Sequence, residues 1–221
     1  MVNPLAASGG QDAETGSAAR ENAPRTVLTL DRAVSLQDYE DFARSFAGLA
    51  KAHAVWIKAG PGRGVYISIA GVAGAAVPST STTYLDLLDA LRQYGDLLLP
   101  LRLANYRPAT FKLAATIKVY AEAESAQVLA DAEDLLRATF AFDKRRFGQM
   151  VSVDEIMGVL HSLSGVEAVN VLSLYRPDQG TTPRLEPRLF ARLPVTSLTT
   201  LPQAAELLLL DAGPLSLKEM T

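Results

Sequence analysis

His53 and His161 are the only histidines of this 221-residue chain, and it contains no cysteine. Acid–base, nucleophilic or metal chemistry would therefore have to be assembled around one of two imidazoles, each needing a carboxylate or a second ligand close by. His161 lies in a helical pattern whose neighbours three and four positions away are Gly158, Met157, Ser164 and Gly165, none of them a ligand. His53 lies in a predicted strand with Lys51 and Val55 on its own face. Both read as structural or solvent-facing. The glycine-rich residues 60–64, with Arg63, could cradle a phosphate, but they lack the lysine and hydroxyl of a P-loop and join two predicted strands instead of opening a helix. A hairpin turn is the expectation there, and a loop at residues 71–74. Two acidic groups, Asp38 with Glu40 and Asp41, and Asp131 with Glu133 and Asp134, fall on polar helix faces and read as solvated charge. Lys144, Arg145 and Arg146 form the compact basic run, in a predicted loop open to an acidic partner or to water. No Ser/His/Asp set, metal constellation or dinucleotide fingerprint emerges. The expectation is a protein that is not an enzyme, with no catalytic residues, no cofactor and no metal site.

Composition narrows the partners. A net charge of −3 and a sequence pI near 5.5 supply no overall field for a polyanion, so nucleic acid is not an expected partner. No apolar run approaches the ~20 residues that cross a bilayer, and the opening MVNPLAASGG lacks the basic and apolar regions of a secretory signal. No membrane is expected, and assembly in the cytoplasm is. The missing cysteines exclude disulfides and thiol chemistry and suit a reducing compartment.

The elements that would position these residues show an internal echo. Val34, Ser35, Leu36, Tyr39, Phe42, Phe46, Gly48 and Leu49 recur, 117 positions on and without a gap, as Val151, Ser152, Val153, Ile156, Val159, Leu163, Gly165 and Val166. Each copy reads as a capped amphipathic helix, a glycine stop and a strand. In both, a serine cap is followed by an acidic residue at the reciprocal box position, Asp38 or Glu155, and flanked by an apolar staple pair, Val34 with Tyr39 or Val151 with Ile156. Around the first copy, strands are expected over residues 50–57 and 65–70, a helix capped by Thr83 with Asp86 and stopped by Gly95, and a short strand over 101–105. The second copy is preceded by FKLAATIKVY, where Phe111, Leu113, Ala115, Ile117 and Val119 alternate with Lys112, Thr116 and Lys118, and by a helix marked by Val128, Ala132, Leu135, Leu136 and Phe140. A strand over 166–174 closes it.

The fold expected is α+β: two similar small units in series, each with helices on one face of an antiparallel or mixed sheet, plus extended arms. The divisions are 1–25 as an N-terminal arm, 26–106 and 107–176 as the two units, and 177–221 as a C-terminal arm. Six prolines from Pro177 to Pro214 interrupt that last stretch, leaving room for only a short helix near residues 203–209. Leu185, Leu189, Leu193, Leu198 and Leu201 are spread along it, too apolar to float freely, and are the candidate partner interface.

Several strings in the chain are similar to one family. NPLAASGGQDAET, ENAPRTVLTLDRAVSLQDYEDFARSFAGLAKA, LRLANYRPATFKLAATIKV and FGQMVSVDEIMGVLHSLSGVEAVNV resemble the C-terminal part of baseplate J-like proteins, wedge components of contractile phage tails and related injection systems. The most specific element is RAVSLQDYEDFAR at residues 32–44, and the likeness runs on to AELLLLDAGPLSL near the end. What the resemblance implies is a structural baseplate wedge component that links neighbouring wedge, hub and sheath-initiator proteins, or a second J-like copy, and couples them to sheath contraction in the finished particle. It carries over no catalytic residues. Members of that family are longer, with regions that would precede Met1. The rival expectation from the paired units alone is a small-molecule-binding regulatory module, with a ligand between sheets.

Overall fold

The computed structural model describes residues 33–59, 62–195 and 202–220. The chain divides into two compact units, one running to Asn105 and including Pro194–Ala204, the other comprising Tyr106–Leu193 and Ala205–Thr221.

In the first unit the order is α1 (Leu36–Ser45), β1 (Leu49–Ala59), β2 (Gly62–Gly71), α2 (Thr82–Tyr94) and β3 (Leu101–Asn105). The sheet runs β1-β2-β3, with β1 antiparallel and β3 parallel to the central strand. β1 and β2 meet at Ala59 and Gly62, the hairpin expected of the glycine-rich turn. Helix α1 starts where the Ser35 hydroxyl accepts the Asp38 N–H and the Asp38 carboxylate accepts the N–H groups of Ser35 and Val34. Burial pushes the Asp38 carboxyl up, but those hydrogen bonds outweigh it and hold the group below its ordinary value. Tyr39 and Ala43 turn inward against Val65, Ile67, Ile69, Leu87 and Leu91. The staple is open in this copy, because Val34 is exposed. Helix α2 begins earlier than the Thr83 box suggested, since Ser81 takes the cap by accepting the Tyr84 N–H.

The second unit runs β4 (Arg107–Val119), α3 (Ser125–Thr139), β5 (Val151–Ser152), α4 (Val153–His161), β6 (Val166–Tyr175), β7 (Arg188–Leu189), β8 (Glu206–Leu210) and β9 (Ser216–Glu219). β4 is the axis. β6 pairs with it antiparallel, and β8 and β9 pair with it parallel, β8 along Arg107–Phe111 and β9 along Ala114–Ile117. Phe111, Leu113 and Ile117 face a core built with Val128, Ala132, Leu136, Phe140, Ile156 and Leu160, while Lys112 and Lys118 are exposed. Here the staple closes, with Val151 and Ile156 both buried. The expected helix near residues 203–209 is replaced by strand β8. Leu207 and Leu208 are both fully buried, a demand met by pairing with β4 and not by one face of a helix.

The echo of 117 positions extends into backbone geometry that side-chain types do not encode. Gly48 and Gly165 both occupy left-handed φ, +86° and +95°. Immediately after them, Ala50 and Glu167 are each the unpaired residue of a register shift, between Leu49 and Lys51 in one sheet and between Val166 and Ala168 in the other. The chain order around this shared module is permuted. In the first unit the central strand β2 and helix α2 follow the echo; in the second, β4 and α3 precede it. Both sheets end as a central strand with one antiparallel and one parallel flank.

Because Ser35 and Ser152 cap α1 and α4 in the same way, Ser35→Ala and Ser152→Ala should each cost about 1 kcal/mol. Urea denaturation of the two variants measures it, and near-zero loss at either position would show that cap to be idle.

Candidate functional site

The structure gives His53 the carboxylate that its sequence neighbours lack. Its Nδ1 lies 2.8 Å from Glu40 Oε1, and the same oxygen accepts the Ala54 N–H at 2.9 Å. Glu40 thus ties α1 to the backbone of β1 and occupies an outward-pointing donor of an edge strand, which is how sheets keep an edge from recruiting another chain. This carboxylate is engaged by backbone. His161 is exposed on the last turn of α4.

The acidic and basic groups are more committed than solvated charge would be. Asp41 is buried and accepts hydrogen bonds from Gln37 and Arg44. Glu133 pairs with Arg137 on α3. From the basic run, Arg145 is buried, with Nη1 2.6 Å from Glu155, Nη2 2.6 Å from the Met150 carbonyl, and its guanidinium 5.1 Å from the centre of the Phe140 ring. Among the described residues no group of three or more His, Asp or Glu is placed to hold a metal ion, and no helix is long and apolar enough to cross a membrane.

The candidate interface leucines separate. Leu189 is fully buried in the second core, on β7 where Val151 pairs with it. Leu185 bridges Leu174 of β6 through its backbone while its side chain is half exposed. Leu193 is partly exposed, and its side chain lies over Gly148, where a Cβ would come within 2.5 Å of the leucine Cγ. Leu198 and Leu201 lie outside the described residues. Between these leucines the structure exposes Phe190, at 63%, which composition had not singled out. Alternation around β7 is the missed signal: Leu189 and Ala191 are buried, so Phe190 must point away. In the first unit, Leu97 and Leu98 before β3 are the most exposed large apolar residues, at 81% and 91%.

A buried ionic network ties Arg176 to Phe190, Arg192 and Glu206. Arg176 Nη1 is 2.9 Å from Glu206 Oε2 and 2.7 Å from the Phe190 carbonyl, while Nε and Nη2 grip both oxygens of Asp178. Glu206 also accepts the Arg192 N–H at 3.0 Å, and its own N–H donates to the Arg192 carbonyl at 2.7 Å. The exposed Phe190 therefore stands on a fixed backbone, so that a partner would meet a preorganised anchor.

Residues 31–104 match the family model described as the Baseplate J-like central domain, a span that runs from before α1 into β3. Among solved structures the chain is similar to one in the "Cryo-EM structure of the anti-feeding prophage (AFP) baseplate, 6-fold symmetrised", with 16% identity and a TM-score of 0.58 over 92% of this chain and 43% of that one. At that identity the likeness is one of fold, and this chain spans less than half the length of the other. No curated protein matches the chain.

Proposed function

We propose that this chain, with its Baseplate J-like central domain, is a structural and non-catalytic component of a contractile injection baseplate, a wedge element that links neighbouring baseplate proteins and passes their movement to the sheath. The observation that carries the reading is the fold shared across 92% of the chain with a baseplate subunit, together with the domain match at residues 31–104. Rigid α+β bodies with exposed apolar anchors suit such a role, because strain passes through packed units with little loss. Its partners would be other wedge, hub and sheath-initiator proteins or a second J-like copy, met in the cytoplasm during assembly.

Strands β8 and β9 belong to the second sheet, so removing residues 184–221 would dismantle that unit and test nothing about assembly. Phe190→Glu is the cleaner probe, because only the Phe190 backbone joins the ionic network. We expect stability to change by no more than about 0.5 kcal/mol while incorporation into particles falls at least about tenfold. Deletion of residues 1–24 is expected to have the same effect on assembly. Co-expression with a tail gene cluster and counting of complete particles by electron microscopy reads both; full incorporation of both variants would sink the assignment.

A further inference from the structure

On the helix-free face of the second sheet lies a cavity of about 310 Å³. Its floor is β4 and β6, where Lys112 and Ala114 alternate with the core residues Leu113 and Ala115, and its rim is Pro183 on one side and Asp211 to Ser216 on the other. The rim is fixed: Arg137 of α3, already paired with Glu133, donates to the carbonyls of Gly213 at 2.8 Å and Asp211 at 3.4 Å, and the Asp211 N–H donates to the Phe111 carbonyl. The site is therefore built before any ligand arrives.

Its polar groups are underused. Ser173 and Tyr175 are each only 7% exposed, yet neither hydroxyl has a hydrogen-bond partner among the described residues. Both residues line the cavity, so their hydroxyls open into it and are free to bond with whatever fills it. Lys112, on the same floor, has no carboxylate within 4 Å among the described residues. Lys112 is the register partner of Tyr175, and an ammonium and two hydroxyl donors lining one cavity suit a carboxylate. Asp211, whose Oδ1 accepts the Gly213 N–H at 2.9 Å, would repel a doubly charged phosphate but can accept an amide N–H.

We propose that this cavity binds an acidic side chain presented on an extended peptide, with the carboxylate on Lys112, Ser173 and Tyr175 and a neighbouring peptide N–H on Asp211. Pro183, Pro214 and Leu215 supply the apolar wall. The site stands apart from the assembly reading above and would exist whatever particle the chain serves.

The test is an NMR titration of the full chain with acetyl-Gly-Glu-Gly-amide, its glutamine counterpart and glutarate. The glutamate peptide should give saturable amide shifts confined to β4, β6 and residues 211–216. The glutamine peptide, which lacks the charge, and glutarate, which lacks the amide, should each bind at least about tenfold more weakly. Lys112→Gln, a change at an exposed position, should remove the preference for glutamate over glutamine while leaving the fold intact. Unsaturable or scattered shifts, equal binding of the glutamine peptide, or undiminished binding by Lys112→Gln would overturn the site. Glutarate binding as tightly as the peptide would overturn the peptide as its ligand.

Discussion

Replacing Arg176 with methionine is expected to cost the second unit about 3–5 kcal/mol, the loss that follows when one member of a buried ion pair is stranded without the other. Arg176 and Glu206 are each 2% exposed and 2.9 Å apart, and their remaining hydrogen-bonding capacity is taken up by Asp178, the Phe190 carbonyl and the Arg192 N–H. In the variant, Glu206 would keep its charge in a dry setting with the Arg192 N–H and the more distant Arg107, at 3.6 Å, left to answer it. The double replacement Arg176→Met with Glu206→Leu should recover much of the loss, because it removes the orphaned charge along with its partner. Equilibrium denaturation of the two variants measures the difference, and a double variant no better than the single would show that packing and not charge governs the position.

The same pair sets a direction in pH. Burial pushes the Glu206 carboxyl up, but the hydrogen bonds from Arg176 and the Arg192 N–H, with the charges of Arg176 and Arg107, overcome it and hold the group below its ordinary value of 4.5. Asp178 is held low chiefly by its hydrogen bonds from Arg176. A carboxyl with a depressed folded-state pKa contributes stability that is complete above the unfolded value and is lost as pH falls through the folded one. The wild-type unit should therefore weaken progressively below about pH 4.5. Without Arg176, desolvation dominates at Glu206, and protonation relieves the buried charge. The gap between the wild type and Arg176→Met is accordingly expected to narrow from pH 7 to pH 4.

Local grammar was legible in the sequence wherever a short-range rule decided the outcome. Ser35 and Ser152 cap helices because a hydroxyl there reaches a backbone N–H three residues on. The expected glycine stops lie later than the helix ends, which fall at Phe46 and Ser162, and Gly48 and Gly165 instead take the left-handed turns that lead directly into β1 and β6. Residues 203–209 went the other way. Their alanine- and leucine-rich composition favours a helix, but the decisive interaction is parallel pairing with Arg107–Phe111, almost a hundred residues earlier, and no local pattern carries that. The permuted chain order is hidden for the same reason, since strand partners are chosen in space. Glu40 and Asp41 were read as solvated, and Arg145 as open to an acidic partner or to water, because each sits in a charged run, whereas their roles depend on which carbonyl, N–H or ring lies opposite in the folded chain. Of the candidate interface leucines, Leu185 and Leu193 are exposed while Leu189 is buried in the core, a split that leucine spacing alone does not carry. The spacing also missed Phe190, because the alternation that turns this ring outward comes from the two-residue pairing of β7 with β5.

Phe140→Ala should be nearly as damaging as the loss of Arg176, for a different physical reason. Phe140 is 1% exposed at the end of α3 and meets Phe111 of β4 edge to face, with ring centres 5.2 Å apart and an interplanar angle of 82°. Removing the ring from such a site leaves a cavity as well as losing transfer energy, typically about 3–5 kcal/mol for phenylalanine to alanine. A second consequence follows from Arg145, whose guanidinium lies over the Phe140 ring, 5.1 Å from its centre, while its Nε has no partner among the described residues. The stack is the contact that compensates this side of a buried cation, a desolvated cation–π interaction of roughly 2 kcal/mol. Phe140→Leu retains most of the volume but not the π face, so it separates the two contributions. It should cost about half as much as the alanine variant. Adding Arg145→Met to Phe140→Leu should then be less harmful than Arg145→Met in the wild type, because the cation has already lost its aromatic partner. Strict additivity in that cycle, measured by denaturation, would mean that the ring serves Arg145 only as filler and that the packing of α3 on β4 accounts for the whole effect.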